Sequence, residues 1–207
     1  PIITIIPHTS PDGDAIGSTL GLYHFLKNQG HDVQVIAPTD FPDFLKWMPE
    51  ADQILIYPNQ ESRAEQRIAD SSLIFTLDFN NLLRAKPLTS FLQKSLATFV
   101  MIDHHQQPDT YATITYSDEK ASSTCELIYN TIVSLSSQEA INQTIATCLY
   151  TGIMTDTGGF RFSMTSPQTH RVAAVLLEKG ANCAQIASEV LDSYSIDRLQ
   201  LLGTVLD

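Results

Sequence analysis

The chain has 207 residues, with 12 Lys plus Arg against 23 Asp plus Glu, a net charge of −11, an apolar fraction of 43% and a charged fraction of 17%. This composition excludes intrinsic disorder, and the length suits one domain that buries about 70% of the surface its unfolded chain exposes. A pI near 4.8 argues against gripping a nucleic-acid backbone with Lys and Arg alone, so an anionic partner would need positive charge from another source.

No apolar run approaches the roughly 20 residues that span a bilayer, and no charged leader precedes the short apolar stretch at 2–6. A cytoplasmic protein is expected. Cys125, Cys148 and Cys183 form an odd set whose spacing fits neither a disulfide framework nor a metal knuckle, so three reduced, buried thiols are expected. Pro1 stands without an initiator Met and Asp207 lies in a helix-like stretch, which points to a piece of a longer chain.

In chain order, residues 2–6 read as a β-branched strand. It runs into Pro7-His8-Thr9-Ser10-Pro11-Asp12-Gly13-Asp14-Ala15-Ile16-Gly17-Ser18, a turn that opens a helix over 15–28, ended by Gly30. Strands at 33–37 and 54–57 follow, then a helix at 64–69 and a strand at 74–77 that ends in Asp78. A helix at 87–96 leads to a strand at 98–102 that ends in Asp103-His104-His105, and the alternation at 111–116 suits an edge strand. Beyond it the pattern is helical, at 123–135, 138–154, 167–178, 182–191 and 195–206. The expected fold class is α/β, a mostly parallel five- or six-stranded sheet flanked by helices, with a helical second half.

Open α/β sheets place ligands at the carboxyl ends of their strands. Here three strands end in imidazoles and carboxylates, and the helical half adds Asp156 in Thr155-Asp156-Thr157-Gly158-Gly159. His8, Asp12, Asp14, Asp78, His104 and Asp156, with His105 adjacent, have no cationic neighbour in sequence. That is a mismatch unless metal ions sit among them. Mixed nitrogen and oxygen donors suit Mn²⁺, Mg²⁺, Zn²⁺ or Co²⁺, and two such ions would cancel four carboxylates while leaving positions for water and phosphate oxygens. Taken singly, each has a plainer reading: Asp12 as a helix cap, Asp78 as an Asx turn, Asp156 as a helix-end turn. Ser122, Ser123 and Thr124 read as a helix cap, whose helix N-terminus could also help hold an anion. Arg161 reads as either a phosphate contact or a structural salt bridge. His24, His31 and His170 read as packing or surface residues.

Four ordered motifs resemble the DHH phosphoesterases: His8 to Ser18, Leu77-Asp78-Phe79-Asn80, Asp103-His104-His105 and Thr151-Gly152-Ile153-Met154-Thr155-Asp156-Thr157-Gly158. Pro11-Asp12-Gly13-Asp14-Ala15-Ile16-Gly17-Ser18, Ala121-Ser122-Ser123-Thr124 and Gly159-Phe160-Arg161-Phe162-Ser163 look most like the NrnA-type branch. That resemblance implies a metal-dependent hydrolase that degrades short oligoribonucleotides to mononucleotides and dephosphorylates 3′-phosphoadenosine 5′-phosphate (pAp). It implies two divalent ions, Mn²⁺ first with Mg²⁺ or Co²⁺ as alternatives. His8, Asp12 and Asp78 would hold one ion, and Asp14, Asp78, His104 and Asp156 the other. Asp103 would orient the site by accepting a hydrogen bond from a ligand imidazole, and His105 would bind phosphate or protonate the leaving oxygen, with Arg161 as a further substrate contact.

The partners implied are short single-stranded RNA, pAp and linear dinucleotides, with no membrane and with a homodimer allowed. Residues 1–190 would be the catalytic domain and 191–207 the start of a helix leading to a DHHA1 substrate-binding domain that this chain lacks. The alternatives are a family II inorganic pyrophosphatase, disfavoured by Gly13 in Asp12-Gly13-Asp14, and a non-catalytic nucleotide-sensing module.

Overall fold

The computed structural model describes residues 1–192, 200–201 and 203–205. Six strands form one wholly parallel sheet: β1 (Ile2–Ile6), β2 (Asp32–Ala37), β3 (Leu55–Ile56), β4 (Leu73–Leu77), β5 (Thr98–Asp103) and β6 (Ile114–Ser117). Parallel neighbours require crossovers. These carry α1 (Gly13–Asn28) after β1, α2 (Glu61–Asp70) after β3 and α3 (Thr89–Lys94) after β4. The order is β3-β2-β1-β4-β5-β6, so the chain walks outward from β1, returns to lay β4 beside it, and then walks the other way. Loops leaving β1 and β4 therefore diverge, and this switch point opens a crevice beyond the carboxyl ends of the two strands.

The alternation of β1 builds the layers. Ile3 and Ile5 face α1, α4 (Thr124–Leu135), α5 (Gln143–Asp156) and α6 (Pro167–Glu178). Ile6 joins Ile36, Ile74 and Phe99 on the opposite face, under α2 and α3. Both faces are covered, which is why the strands read as continuous apolar runs. Thr4 and Thr76 are tolerated inside because their hydroxyls pair with Ser71 Oγ and Tyr111 Oη, each at 2.7 Å. Helix α7 (Cys183–Leu191) packs on α5.

Helices α1 and α5 approach so closely that neither Gly17 nor Gly152 could carry a side chain. A Cβ on Gly17 would lie 2.6 Å from the Cys148 carbonyl oxygen, and one on Gly152 would collide with Cys125 Sγ. This contact matters because α1 carries Asp12 and Asp14 at its start and α5 carries Asp156 at its end.

Several boundaries differ from the sequence pattern for local reasons. The stretch 138–154 is not one helix. Residues Gln138–Ala140 form a 3-10 turn, and α5 starts at Gln143, where the Asn142 side chain caps it by accepting the Ile145 N–H at 3.0 Å. In 87–96, a 3-10 turn at Leu82–Ala85 and Pro87, which joins Lys86 by a cis bond, precede a shorter helix that starts at Thr89. The edge strand moves from 111–116 to Ile114–Ser117, since Tyr111 is drawn inward to Thr76. Cys125 and Cys148 are buried, whereas Cys183 is exposed as the first residue of α7. The expected helix at 195–206 lies largely outside the described residues. Among the described residues no helix is long and apolar enough to cross a membrane.

Gly17→Ala is expected to destabilise the protein by about 1–3 kcal/mol, because the obstructing atom is backbone and cannot swing aside. Urea unfolding measures this, and an unchanged midpoint would contradict the tight α1–α5 contact.

Candidate metal centre

The sheet edge delivers its side chains in order. His8, just past β1, is buried, and its Nδ1 donates to the Thr9 carbonyl at 2.8 Å. That leaves Nε2 bare, 3.4 Å from Asp78 Oδ2 and 3.9 Å from Asp12 Oδ1. Asp12 also caps α1, its Oδ1 accepting the N–H groups of Asp14 and Ala15 at 3.1 and 3.0 Å. The capping reading and the site reading of Asp12 hold together.

Asp14 is wholly buried, and its carboxylate accepts the backbone N–H groups of Thr124 (2.6 Å) and Cys125 (2.9 Å). These belong to the first turn of α4, so a helix N-terminus compensates a carboxylate that no Lys or Arg among the described residues reaches. Asp78 extends the β4–β5 ladder by donating to the Ile102 carbonyl at 3.1 Å, then turns at a φ of +66°, a conformation that Asp tolerates better than most residues. Its Oδ1 accepts the Thr124 hydroxyl at 2.9 Å. Past β5, His104 Nε2 lies 3.8 Å from Asp14 Oδ2, 3.6 Å from Asp78 Oδ1 and 3.5 Å from Asp156 Oδ2. Asp156 is the last residue of α5 rather than part of the turn after it.

These separations of 3.4–3.9 Å are too long for good hydrogen bonds. They approach the spacing of neighbouring ligand atoms around an ion bound at about 2.0–2.2 Å, roughly 3.0–3.5 Å. Asp156 Oδ2 and His104 Nδ1 are buried and have no hydrogen-bond partner among the described residues. Three overlapping groups bring candidate ligand atoms within 4.8 Å of one another: His8, Asp12 and Asp78; Asp14, His104 and Asp156; Asp78, His104 and His105. The donor set therefore fits divalent cations, with Asp78 common to two groups. Cys125 Sγ faces the Asp14 carbonyl at 3.6 Å, so the thiol serves packing.

The electrostatics follow from burial and crowding. Burial, then Asp78 and Asp156, push the Asp14 carboxyl well above its usual range, against the α4 N–H groups that favour its ionised form. Asp156 is pushed up to about 6 by burial, with His104 opposing and Asp78 and Asp12 adding. Burial alone would lower His8, but the carboxylates of Asp78 and Asp12 hold it above the ordinary imidazole range. His105 is raised chiefly by Asp103, whose Oδ1 accepts the His105 Nδ1–H at 2.7 Å.

Asp103 was expected to orient a ligand imidazole. It instead engages His105, because residues two apart on an extended chain project to the same side. Arg161 is exposed and forms no salt bridge among the described residues; its Nε donates to the Gly158 carbonyl at 2.6 Å. It lines a cavity of about 230 Å³ together with Asp12, Asp156, Phe44 and Leu191.

Sequence reasoning credited Ser122, Ser123 and Thr124 with a capping role and missed what α4 caps. Ser123 is the N-cap, accepting the Glu126 N–H, while Thr124 and Cys125 reach across to Asp14 and Asp78. The available signal was a hydroxyl-rich helix start in a chain whose buried carboxylates lacked donors. Glu126 was also missed: it is buried and accepts from Ser122 Oγ at 2.6 Å and Thr169 Oγ1 at 3.0 Å, tying the start of α4 to α6.

Residues 2–153 match the family model "DHH family, N-terminal domain". A curated protein of Thermus thermophilus, "Bifunctional oligoribonuclease and PAP phosphatase NrnA", is 32% identical over 206 residues, which is 99% of this chain and 58% of that protein. A crystal structure of an exopolyphosphatase-related protein from Bacteroides fragilis superposes with a TM-score of 0.96 at 43% identity, over 99% of this chain and 60% of that one. A Methanococcus jannaschii protein provisionally described as a family II inorganic pyrophosphatase shares the fold, with a TM-score of 0.66 at 19% identity over 92% of this chain and 60% of its own. This chain thus spans about three-fifths of the first two proteins it matches.

Two outcomes follow for metal-free and metal-loaded protein. Asp14 and Asp156 are raised above their unfolded values, so their stabilising contribution is present at low pH and is lost as pH climbs from the unfolded carboxylate range towards about 6. His8 and His105, also raised, lose theirs as pH passes the imidazole range, with His24 alone in the opposite sense. The Tm of metal-free protein should fall between pH 5 and 8, and a divalent cation should raise Tm more at pH 8 than at pH 5; a metal-free Tm that rises over this span would contradict the assignment. Thr124→Val, which removes a donor to Asp78 but keeps the backbone N–H to Asp14, should weaken Mn²⁺ binding about 10- to 100-fold in calorimetry, with Thr124→Ser near wild type.

Proposed function

This chain belongs to the DHH family, and from that premise we propose that the full-length protein is a two-metal phosphoesterase. It hydrolyses short oligoribonucleotides to mononucleotides and removes phosphate from pAp, with residues 1–190 as its catalytic domain. The observation that carries the reading is the meeting of His8, Asp12, Asp14, Asp78, His104 and Asp156 at the β1/β4 switch point, in overlapping groups of which two share Asp78 and two share His104. The substrate class rests on the 32% identity to the Thermus oligoribonuclease and PAP phosphatase.

In this reading His8, Asp12 and Asp78 hold one cation, and Asp14, Asp78, His104 and Asp156 the other, with Mn²⁺ favoured by the mixed nitrogen and oxygen donors. The ions supply Lewis acidity, lowering the pKa of water and neutralising charge that gathers on the phosphoryl oxygens. The protein's own groups position and protonate. Asp103 fixes His105 through Nδ1, which leaves Nε2 to donate to a phosphoryl oxygen or to the departing ribose oxygen. Arg161 lines the cavity beside Asp156 and offers its terminal nitrogens to a substrate phosphate.

The test is release of AMP from a diadenylate and of phosphate from pAp by full-length protein with Mn²⁺. Asp78→Asn should abolish both activities and lower metal content more than Asp12→Asn does. His105→Ala should leave metal content intact and cut turnover about 10²- to 10⁴-fold. No product from either substrate would refute the proposal.

A further inference from the structure

Glu126 is nearly sealed inside the protein on the first turn of α4, and among the described residues no Lys, Arg or His pairs with it. Enclosing a carboxylate in this way costs desolvation that an apolar side chain of similar volume would avoid. Its contacts show what the carboxylate contributes. Ser123-Thr124-Cys125-Glu126 has the pattern of a capping box, in which the side chain of the fourth residue returns to the N–H of the first. Ser123 does cap α4, accepting the Glu126 N–H at 3.1 Å, but the Glu126 side chain reaches past it. Its Oε2 accepts the Ser122 N–H at 3.2 Å, the Ser122 hydroxyl at 2.6 Å and, from α6, the Thr169 hydroxyl at 3.0 Å.

The Thr169 donor is itself held. It lies in the first turn of α6, where its Oγ1 accepts the Ser166 N–H at 3.1 Å and its own N–H goes to Ser166 Oγ at 3.1 Å. Two helix N-termini, those of α4 and α6, thus meet at one carboxylate and help compensate its charge. Both lead to the metal centre. Directly after Ser122 and Ser123, α4 presents the Thr124 and Cys125 N–H groups to Asp14 and the Thr124 hydroxyl to Asp78. On the other side, the loop 157–165 runs from Asp156, at the end of α5, to Ser166 at the start of α6. Glu126 therefore ties the donors of two candidate ligands to the segment that follows a third. Ligand geometry must hold to about 0.5 Å, and hydrogen bonds from the surrounding residues impose that direction where apolar packing alone lets a helix slide.

We propose that Glu126 is a positioning residue of the metal centre: by gripping Ser122 and Thr169 together it aims the Thr124 and Cys125 donors at Asp14 and Asp78, and so sets how tightly the centre holds divalent cations. The assignment rests on the reading of this cluster as a metal centre, and it depends neither on the substrate nor on turnover.

The experiment titrates Mn²⁺ calorimetrically into metal-free, full-length protein at a temperature where every variant is folded. Glu126→Met, which keeps the volume and removes the carboxylate, is expected to weaken Mn²⁺ binding about ten- to a hundredfold. Glu126→Gln, which keeps one acceptor oxygen, should recover part of the loss. Leu92→Ala, which opens a cavity under α3 on the opposite face of the sheet, should lower Tm and leave Mn²⁺ affinity unchanged. Unchanged affinity in Glu126→Met, or an equal loss in Leu92→Ala, overturns the assignment. In metal-free Glu126→Met the amides of Thr124 and Cys125 should exchange with solvent about tenfold faster while those of α5 keep their rates; equal acceleration throughout would mean a merely structural role and overturn it. Should Glu126→Met fail to fold, Thr169→Val decides: it should weaken Mn²⁺ binding, with Thr169→Ser near wild type, and an unchanged affinity overturns the proposal. Wild-type protein that binds no Mn²⁺ would refute the metal centre and this assignment together. Wild-type protein whose Mn²⁺ affinity depends on Glu126 yet which cleaves neither pAp nor diadenylate would refute the proposed function and leave Glu126 as a positioning residue.

Discussion

The Asp14 carboxylate accepting two N–H groups from the first turn of α4 is the contact on which the rest of the site depends. Asp14 is wholly buried beside Asp78 and near Asp156, and among the described residues no Lys or Arg pairs with it. Without the α4 N-terminus its negative charge would have no compensation inside the protein. The contact also explains the crowding around it. For α4 to bring its N-terminus to a residue on α1, the thiol of Cys125 must fit between α1 and α5, in the space that Gly17 and Gly152 leave by having no side chain. Packing and charge compensation are thus one constraint.

The β1/β4 switch point supplies the other half of the geometry. Diverging loops leave space beyond the strand ends, and β1, β4 and β5 each turn a ligand-type side chain into it. The helical layer closes the site from one side with Asp14 and Asp156. What results is a cluster with raised carboxyl and imidazole pKa values and with buried polar atoms lacking partners. Such a cluster is poorly compensated by the protein alone and well compensated by divalent cations, so metal affinity and fold stability share the same atoms. The net charge of −11 is then no obstacle to an anionic substrate. Positive charge near the site can come from bound ions, from His105, which pairs with Asp103, and from Arg161, whose Nε donates to the Gly158 carbonyl.

Much of this was legible along the chain, and the failures share a cause. Strand ends bearing His8, Asp78 and Asp103-His104-His105 were readable because β-branched runs stop abruptly at polar residues. The breaks at Asn142 and Thr89 were not, since apolar periodicity continues across them while a single side-chain cap or a 3-10 turn decides where the helix starts. Asp103 was expected to accept a hydrogen bond from a ligand imidazole, and the imidazole it accepts from is that of His105. Strand alternation selects it, whereas motif order alone does not.

The sequence by itself determined the α/β class, the parallel sheet and the identity of the six carboxylate and imidazole positions, because each is encoded locally by residue type at an element boundary. It could not decide which distant groups compensate them. That Thr124 and Cys125 cap Asp14 and that Thr124 also bonds Asp78 are relations between residues up to 111 positions apart. They exist only after parallel strand pairing and helix packing have brought separate stretches together, because charge compensation in a protein interior depends on distance through space and not along the chain.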